Sequence, residues 1–269
     1  MSGAPKSYLR GRFPRLGETL AGIGIILALI GIWELVCRLG LVSDLILPAP
    51  TALARELWAA CGEIVLGGPM RVHVLVTLYE ILAGFALACA IGFGLGVLIA
   101  EVPLLSRSLM PYLIALNAAP KIALAPMLVI WFGFGTSSKI VMAALIAFFP
   151  LLVNVVAGIA AADPAKLRLM RSLAASRVMI FTKVKLPDAL PMIFAGLKTA
   201  IVLAVVGAVV GEFVGADAGL GHVIKRSEYQ LDVPLTFAVI VLLSVIGIVL
   251  FYAIELLERR ILFWAAPRV

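Results

Sequence analysis

Several of the residue patterns that carry soluble chemistry are missing from this sequence. No Gly-x-x-x-x-Gly-Lys-Ser/Thr occurs, so the chain cannot cradle nucleotide phosphates in the P-loop manner. His-Glu-x-x-His, Cys-x-x-Cys and Gly-x-Ser-x-Gly are absent as well, which removes the common signatures of zinc hydrolysis, thiol redox and serine hydrolysis. The three cysteines, Cys37, Cys61 and Cys89, lack metal-ligand spacing, and two of them sit in apolar runs where a thiol behaves as a small hydrophobe. No catalytic residue, metal or other cofactor is expected. Charge is scarce: Asp, Glu, Lys and Arg make up 14% of the 269 residues, against about 25% in soluble domains. The two halves show no duplication, which argues against a carrier built from inverted repeats.

What fills the space is apolar. Hydrophobic residues account for 63% of the chain and the mean hydropathy is +1.15, the composition of an integral membrane protein. Six runs of about 20 residues or more predict an all-α bundle of six transmembrane spans, at 19–38, 74–100, 108–132, 138–160, 192–214 and 235–257. The first run follows Lys6, Arg10, Arg12 and Arg15 and lacks a clear small-residue cleavage site, so it reads as a retained helix. An even number of spans puts both termini on one side. That side then carries the tails 1–18 and 258–269, the Arg107 loop and the loop 161–191, with fourteen of the twenty-two Lys and Arg. The positive-inside rule makes it the cytoplasm. The formal charge of +7 is thus accounted for by topology; the partner it implies is a lipid bilayer, and nucleic acid is not expected.

The loop 161–191, AADPAKLRLMRSLAASRVMIFTKVKLPDALP, is the one long charged interruption. Lys166, Arg168, Arg171, Arg177, Lys183 and Lys185 stand against Asp163 and Asp188, and such a segment cannot sit in hydrocarbon. Asp163-Pro164 is a helix-start signal, and Leu167, Met170, Leu173 and Ala174 fall at helical spacing. Val178, Ile180, Phe181 and Val184 form a second apolar face that Leu186-Pro187 should stop. Two short amphipathic helices hinged near Ala174-Ala175-Ser176 are therefore predicted. Ala174 fits a tight junction only if its φ stays negative.

Elsewhere the spans carry their own signals. The third holds Asn117, Pro120, Lys121 and Pro126; two prolines six apart predict a broken helix with freed carbonyls, and broken helices at membrane depth usually line a cavity. Lys121 either faces that pathway or snorkels to water. Gly84, Ala88, Gly92 and Gly96 on the second span, and Gly196, Ala200, Ala204 and Ala208 on the fifth, form small-residue ladders that serve as seams of a bundle or of a dimer. Glu212 ends the fifth span before Gly219-Leu220-Gly221, and reads either as a functional carboxylate or as one simply solvated at the outer interface. Residues 47–65, opening with Pro48 and Pro50, make an amphipathic helix at that interface, with Trp58 at home there.

Aligned on Leu186-Pro187, the charged loop resembles the EAA loop of bacterial ABC-importer permeases, with Ala174 in place of the turn Gly and Arg168, Leu169 and Met170 in place of Glu-Ala-Ala. Its tail Arg171-Ser172-Leu173-Ala174-Ala175-Ser176-Arg177, followed by Ile180-Phe181, looks like the nitrate/sulfonate/taurine branch of that binding-protein-dependent, MetI-like family, as does Pro120-x-x-Ala123-Leu124-x-Pro126 with Trp131-Phe132-Gly133-Phe134-Gly135. The resemblance covers nearly all of the chain after the N-terminal tail. It implies the type I importer permease fold, a bacterial inner-membrane location, cytoplasmic ATPase subunits, a periplasmic solute-binding protein and a second permease copy as partners. It also implies coupling to the ATPase through Arg168, Arg171, Leu173, Ala174, Ala175, Ser176, Leu186 and Pro187, and a pathway near Asn117, Pro120, Lys121, Pro126 and Glu212. The implied substrate is a small anion of the sulfonate, taurine or nitrate class, with an aromatic acid or a pyrimidine precursor as alternatives. A rival from another class is a stand-alone proton-coupled carrier or channel using Glu80, Lys121, Glu212 and His222 as a relay. That rival leaves the basic loop without a role.

Overall fold

A computed structural model describes residues 16–263; the outer parts of both predicted tails lie outside the described residues. Helices α1 (Leu16–Arg38), α2 (Pro50–Leu66) and α3 (Pro69–Glu101) are followed by α4 (Pro103–Ala118), a short 3-10 turn at Lys121–Leu124 and α5 (Ala125–Phe132). Then come α6 (Thr136–Ala160), α7 (Pro164–Ser172), α8 (Arg177–Ile180), α9 (Leu186–Gly215), α10 (Leu220–Tyr229) and α11 (Val233–Ile261). No strand occurs among the described residues. Four helical segments there, 69–101, 136–160, 177–215 and 233–261, are long and apolar enough to cross a membrane. The segment 104–132 makes a fifth if its two halves, bent by 78°, count as one crossing. α1, 23 residues long, occupies the predicted first span.

α6 is the centre of the bundle, clasped between α3 and α9. Both small-residue ladders face it. A Cβ on Gly84 would lie 2.5 Å from that of Ala143, one on Gly196 would lie 2.7 Å from that of Asn154, and one on the neighbouring Gly207 would lie 2.6 Å from the Ala143 backbone. Ala88, Ala200, Ala204 and Ala208 are fully buried. The ladders are therefore seams within one protomer, holding three backbones at contact distance where no larger side chain fits. α10, α11 and α2 pack on the flank of this trio, whereas α1 meets the rest mainly through α2 and leaves Ile25, Leu29 and Ile32 uncovered. α2 is the amphipathic helix read from residues 47–65, and its Trp58 is exposed.

One sequence expectation fails here. Leu186-Pro187 does not end a helix; α8 runs through a π-helical turn at Phe181–Lys185 straight into α9, giving one apolar helical segment from Arg177 to Gly215. The reason lies in Pro187. Its ring cannot donate and would crowd the preceding turn, and the wider π turn, with the Leu186 amide bonded back to Phe181, takes up the misfit without breaking the rod.

Candidate functional site

At one end of the bundle stands the basic hairpin. Asp163 caps α7 by accepting from the Ala165 amide at 2.8 Å, with Pro164 in the first helical position, and Ser176 caps α8 by accepting from Met179 at 3.2 Å. The turn between them closes with two backbone bonds, Ala175 N–H to Met170 and Ala174 N–H to Arg171, each 3.0 Å. This is the Schellman arrangement, whose C′ residue takes left-handed backbone. That residue is Ala174, at φ +52°. The condition that Ala fits such a junction only at negative φ is thus corrected: the turn needs the left-handed conformation, and the chain adopts it with a Cβ present.

The hairpin is tied down by charge. Lys166 donates to Asp188 at 2.7 Å, and this hydrogen bond holds its ammonium above the usual lysine range. Lys185 pairs with Glu101 at the end of α3, also at 2.7 Å. Its tip is left uncovered. Leu173 is 68% and Val178 72% exposed, Leu169 and Met179 lie open beside them, and Arg168 and Arg171 are also exposed. The structure thus brings Arg168, Arg171, Leu173, Ala174, Ala175 and Ser176 together on one projection, with Leu186 and Pro187 at its root.

The proline-broken segment is the second feature. The chain leaves α4 at Ala118 and turns through Ala119–Pro120, and the Lys121 amide bonds to Ala119 instead of continuing the helix. The Lys121 ammonium then reaches back to the Asn117 carbonyl at 2.7 Å and the Asn117 Oδ1 at 3.0 Å, 4.7 Å from the Phe149 ring centre. A cation at a helix C-terminus answers the unpaired carbonyls there. Pro126 opens α5, where its missing donor costs nothing. Asn117, Pro120, Lys121 and Pro126 form one group.

Glu212 is not with them. It is fully buried, not solvated at an interface. Thr77 donates to its Oε1 at 2.6 Å, the Gly221 amide bonds to its Oε2, and the Leu220 amide donates to the Thr77 hydroxyl at 2.7 Å. Glu212 and Thr77 therefore cap the start of α10 from α9 and α3. The two glycines of Gly219-Leu220-Gly221 follow from this: Gly219 has φ +116°, and a Cβ there would sit 2.2 Å from the Glu212 carboxylate. Two further buried ionisable side chains gather nearby. Glu80, 1% exposed, lies against Glu212 with its Oε2 free of any hydrogen bond among the described residues. Lys139, 1% exposed, gives its ammonium to the carbonyls of Phe134, Gly135 and Gly215, the Gly135 bond being 3.0 Å.

Sequence reasoning missed Lys139 and Thr77 and met Glu80 only as a member of the rival relay. Glu80 carried a readable signal, since Thr77, Glu80, Gly84 and Ala88 follow one another at helical spacing along the ladder face that packs inward. Lys139 carried none, because one of its three acceptors lies 76 residues away. Of the relay residues considered, Glu80 and Glu212 meet, His222 stacks on His73 with ring centres 6.0 Å apart, and Lys121 bonds only to Asn117 among the described residues.

With this geometry described, comparison with known proteins is informative. Residues 92–263 match the family described as binding-protein-dependent transport system inner membrane component. The riboflavin transport system permease protein RibX of Chloroflexus aurantiacus is 35% identical over 97% of this chain and 94% of its own. The putative aliphatic sulfonates transport permease protein SsuC of Bacillus subtilis is 31% identical over 91% of this chain and 87% of its own. Among solved structures, a chain of the MetNI methionine ABC transporter in inward facing conformations superposes with a TM-score of 0.62 at 22% identity, covering 70% of this chain and 94% of that one.

Proposed function

The chain belongs to the family of binding-protein-dependent transport system inner membrane components, and on that premise we propose that it forms the translocation pathway for a small anion of the sulfonate, taurine or nitrate class. It is a permease subunit of an ABC importer and not itself an enzyme. ATP is hydrolysed by separate cytoplasmic ATPase subunits, the solute arrives on a periplasmic binding protein, and a second copy of the chain completes the pathway. Six spans, 19–257, carry this function, with both termini and the loop 161–191 in the cytoplasm of a bacterial inner-membrane protein. An aromatic acid or a pyrimidine precursor would use the same machinery.

The single observation that carries the reading is the hairpin 163–187. It is capped, closed by its own backbone bonds and clamped by two ion pairs, yet its apolar tip at Leu169, Leu173, Val178 and Met179 is left largely uncovered among the described residues. A pre-organised projection with an uncovered apolar tip and free cations suits insertion into a cleft on another protein. The continuous 39-residue helix 177–215 supports the mechanism. At about 1.5 Å per residue it spans about 58 Å, so a pull on α8 is delivered to Gly215 at the far end, beside Glu212 and Lys139. Near the bend, Asn117, Pro120, Lys121 and Pro126 place a cation and interrupted backbone where a bilayer-crossing path needs polar groups. Glu212 then serves the pathway by fixing α10 from within.

The test is reconstitution. Proteoliposomes holding this chain with its partner ATPase and binding protein should accumulate taurine or another small anion only with ATP inside. Accumulation driven by a proton gradient without the ATPase would favour the carrier reading and defeat this one.

A further inference from the structure

We propose that α10 presents a receiving site for a small organic anion, a carboxylate or sulfonate with an apolar or aromatic body, at the outer mouth of the permease. The location on the outer side rests on the importer reading above; the chemistry of the site does not.

α10 divides cleanly along its length. Leu220, Val223, Ile224 and Ser227 are buried, while His222, Lys225, Arg226 and Tyr229 fall at i, i+3, i+4 and i+7 on the opposite face. That face borders an open cavity of about 500 Å³ that Phe134, Val214, Gly215 and Ala216 also line. The position of the face is enforced from beneath. Glu212 and Thr77 hold the first amides of α10, and Lys139 binds the carbonyls of Phe134 and Gly215, two residues of the cavity wall.

Charge and size select the ligand. Lys225 and Arg226 face the cavity against one carboxylate, Asp217, so the lining is net cationic before His222 is counted. Lys225 gives one bond to the Phe213 carbonyl at 2.8 Å and keeps two donors. The Arg226 guanidinium has no hydrogen-bonded or ion-paired partner among the described residues, although it also borders a second cavity where Glu56 and Glu63 stand. Lys225 is therefore the cleaner probe. The volume lies within the roughly 300–1,000 Å³ range of small-molecule pockets, far more than a nitrate-sized ion fills. The rings of Phe134 and Tyr229, both largely exposed, would then have no partner. An anionic head on Lys225 and Arg226 with an apolar body against those rings engages both cations and both aromatic side chains of the lining.

The purified full-length chain in nanodiscs tests this with benzenesulfonate, its neutral counterpart benzyl alcohol, and nitrate, each followed by saturable quenching of Trp fluorescence at constant ionic strength. Benzenesulfonate should bind, benzyl alcohol and nitrate at least about tenfold more weakly. Lys225→Gln should weaken benzenesulfonate binding about tenfold, Tyr229→Ala should weaken it without restoring preference for nitrate, and Asp217→Asn should tighten it. The tightening is the decisive sign, because a merely structural role for Asp217 would not produce it. Equal binding of the neutral compound, or no change in Lys225→Gln and Asp217→Asn, overturns the proposal. ATP-driven uptake by the assembled transporter is a separate readout: its absence with benzenesulfonate binding intact defeats the importer reading and leaves the site standing.

Discussion

Replacing Ala174 by Gly should make the hairpin more stable. Ala174 occupies the C′ position of the turn between α7 and α8 at φ +52°, where the Cβ of an L-residue crowds its own backbone at a cost of about 1–2 kcal/mol. Glycine removes that cost but gives the unfolded segment more freedom, which takes back about 0.4–1 kcal/mol. The balance is a gain of about 0.5–1 kcal/mol, a factor of about two to five in the closed population of the hairpin. The two amides that close the turn, Ala174 to Arg171 and Ala175 to Met170, report it directly. Hydrogen exchange at the amides of positions 174 and 175 should slow two- to fivefold (~0.5–1 kcal/mol) in Ala174→Gly, and quicken in Ala174→Val, whose branched side chain tolerates the left-handed region worse. Replacement by Trp should go further and uncouple ATP hydrolysis from transport with insertion intact. Unchanged exchange in the glycine variant would refute the strain argument, and normal uptake by Ala174→Trp would refute this placement of the coupling turn.

Other expectations follow from the same geometry. Lys121→Met should depress uptake of an anionic substrate strongly and Lys121→Arg mildly; equal transport by Met would reduce Lys121 to a clasp for the Asn117 carbonyl. Gly219→Ala should destabilise the fold by more than about 3 kcal/mol, since it combines left-handed strain with a clash on a buried carboxylate, a loss that thermal unfolding in detergent would register. Tags after Arg171 and at the C-terminus should report cytoplasm and one near Gly67 periplasm; a Gly67 tag found inside would overturn the six-span arrangement.

The parts of this molecule legible in its sequence are those governed by local periodicity. Span positions followed from apolar run lengths, the α7–α8 turn from the spacing of Leu167, Met170 and Leu173, and the broken third span from Pro120. Contacts between distant segments were not legible. The seams lie within the protomer because the Gly84 and Gly207 faces both meet Ala143, a residue with no marking of its own. Helix continuity through Pro187 depends on a π turn, which leaves no compositional trace. Lys139 falls at the start of the predicted span 138–160 with nothing to mark it; only the fold brings Gly215 to it and buries it. Arg168, where the resembled family has Glu, is exposed and bonds to nothing among the described residues, and the structure offers no reason for the change.

The close seams also constrain what can move. A Cβ on Gly84, Gly96 or Gly207 would come within 2.5–2.6 Å of α6 atoms, so α3, α6 and α9 have no slack in which to slide and should travel as one body. Lys139 reinforces this by joining the start of α6 to the end of α9. α11 is held differently. It leaves a groove of about 790 Å³ against α9, and Lys198 of α9 meets Glu258 of α11 through an ion pair at 2.7 Å. If the block moves against α11 during transport, a short bifunctional cross-link between cysteines at positions 198 and 258 should stop uptake. The same reagent between positions 101 and 185, which join α3 to the root of α9 within the block, should leave uptake intact. Loss of transport with the 101–185 link would mean that α3 and α9 shift against each other after all, and the seams would then have to open in each cycle.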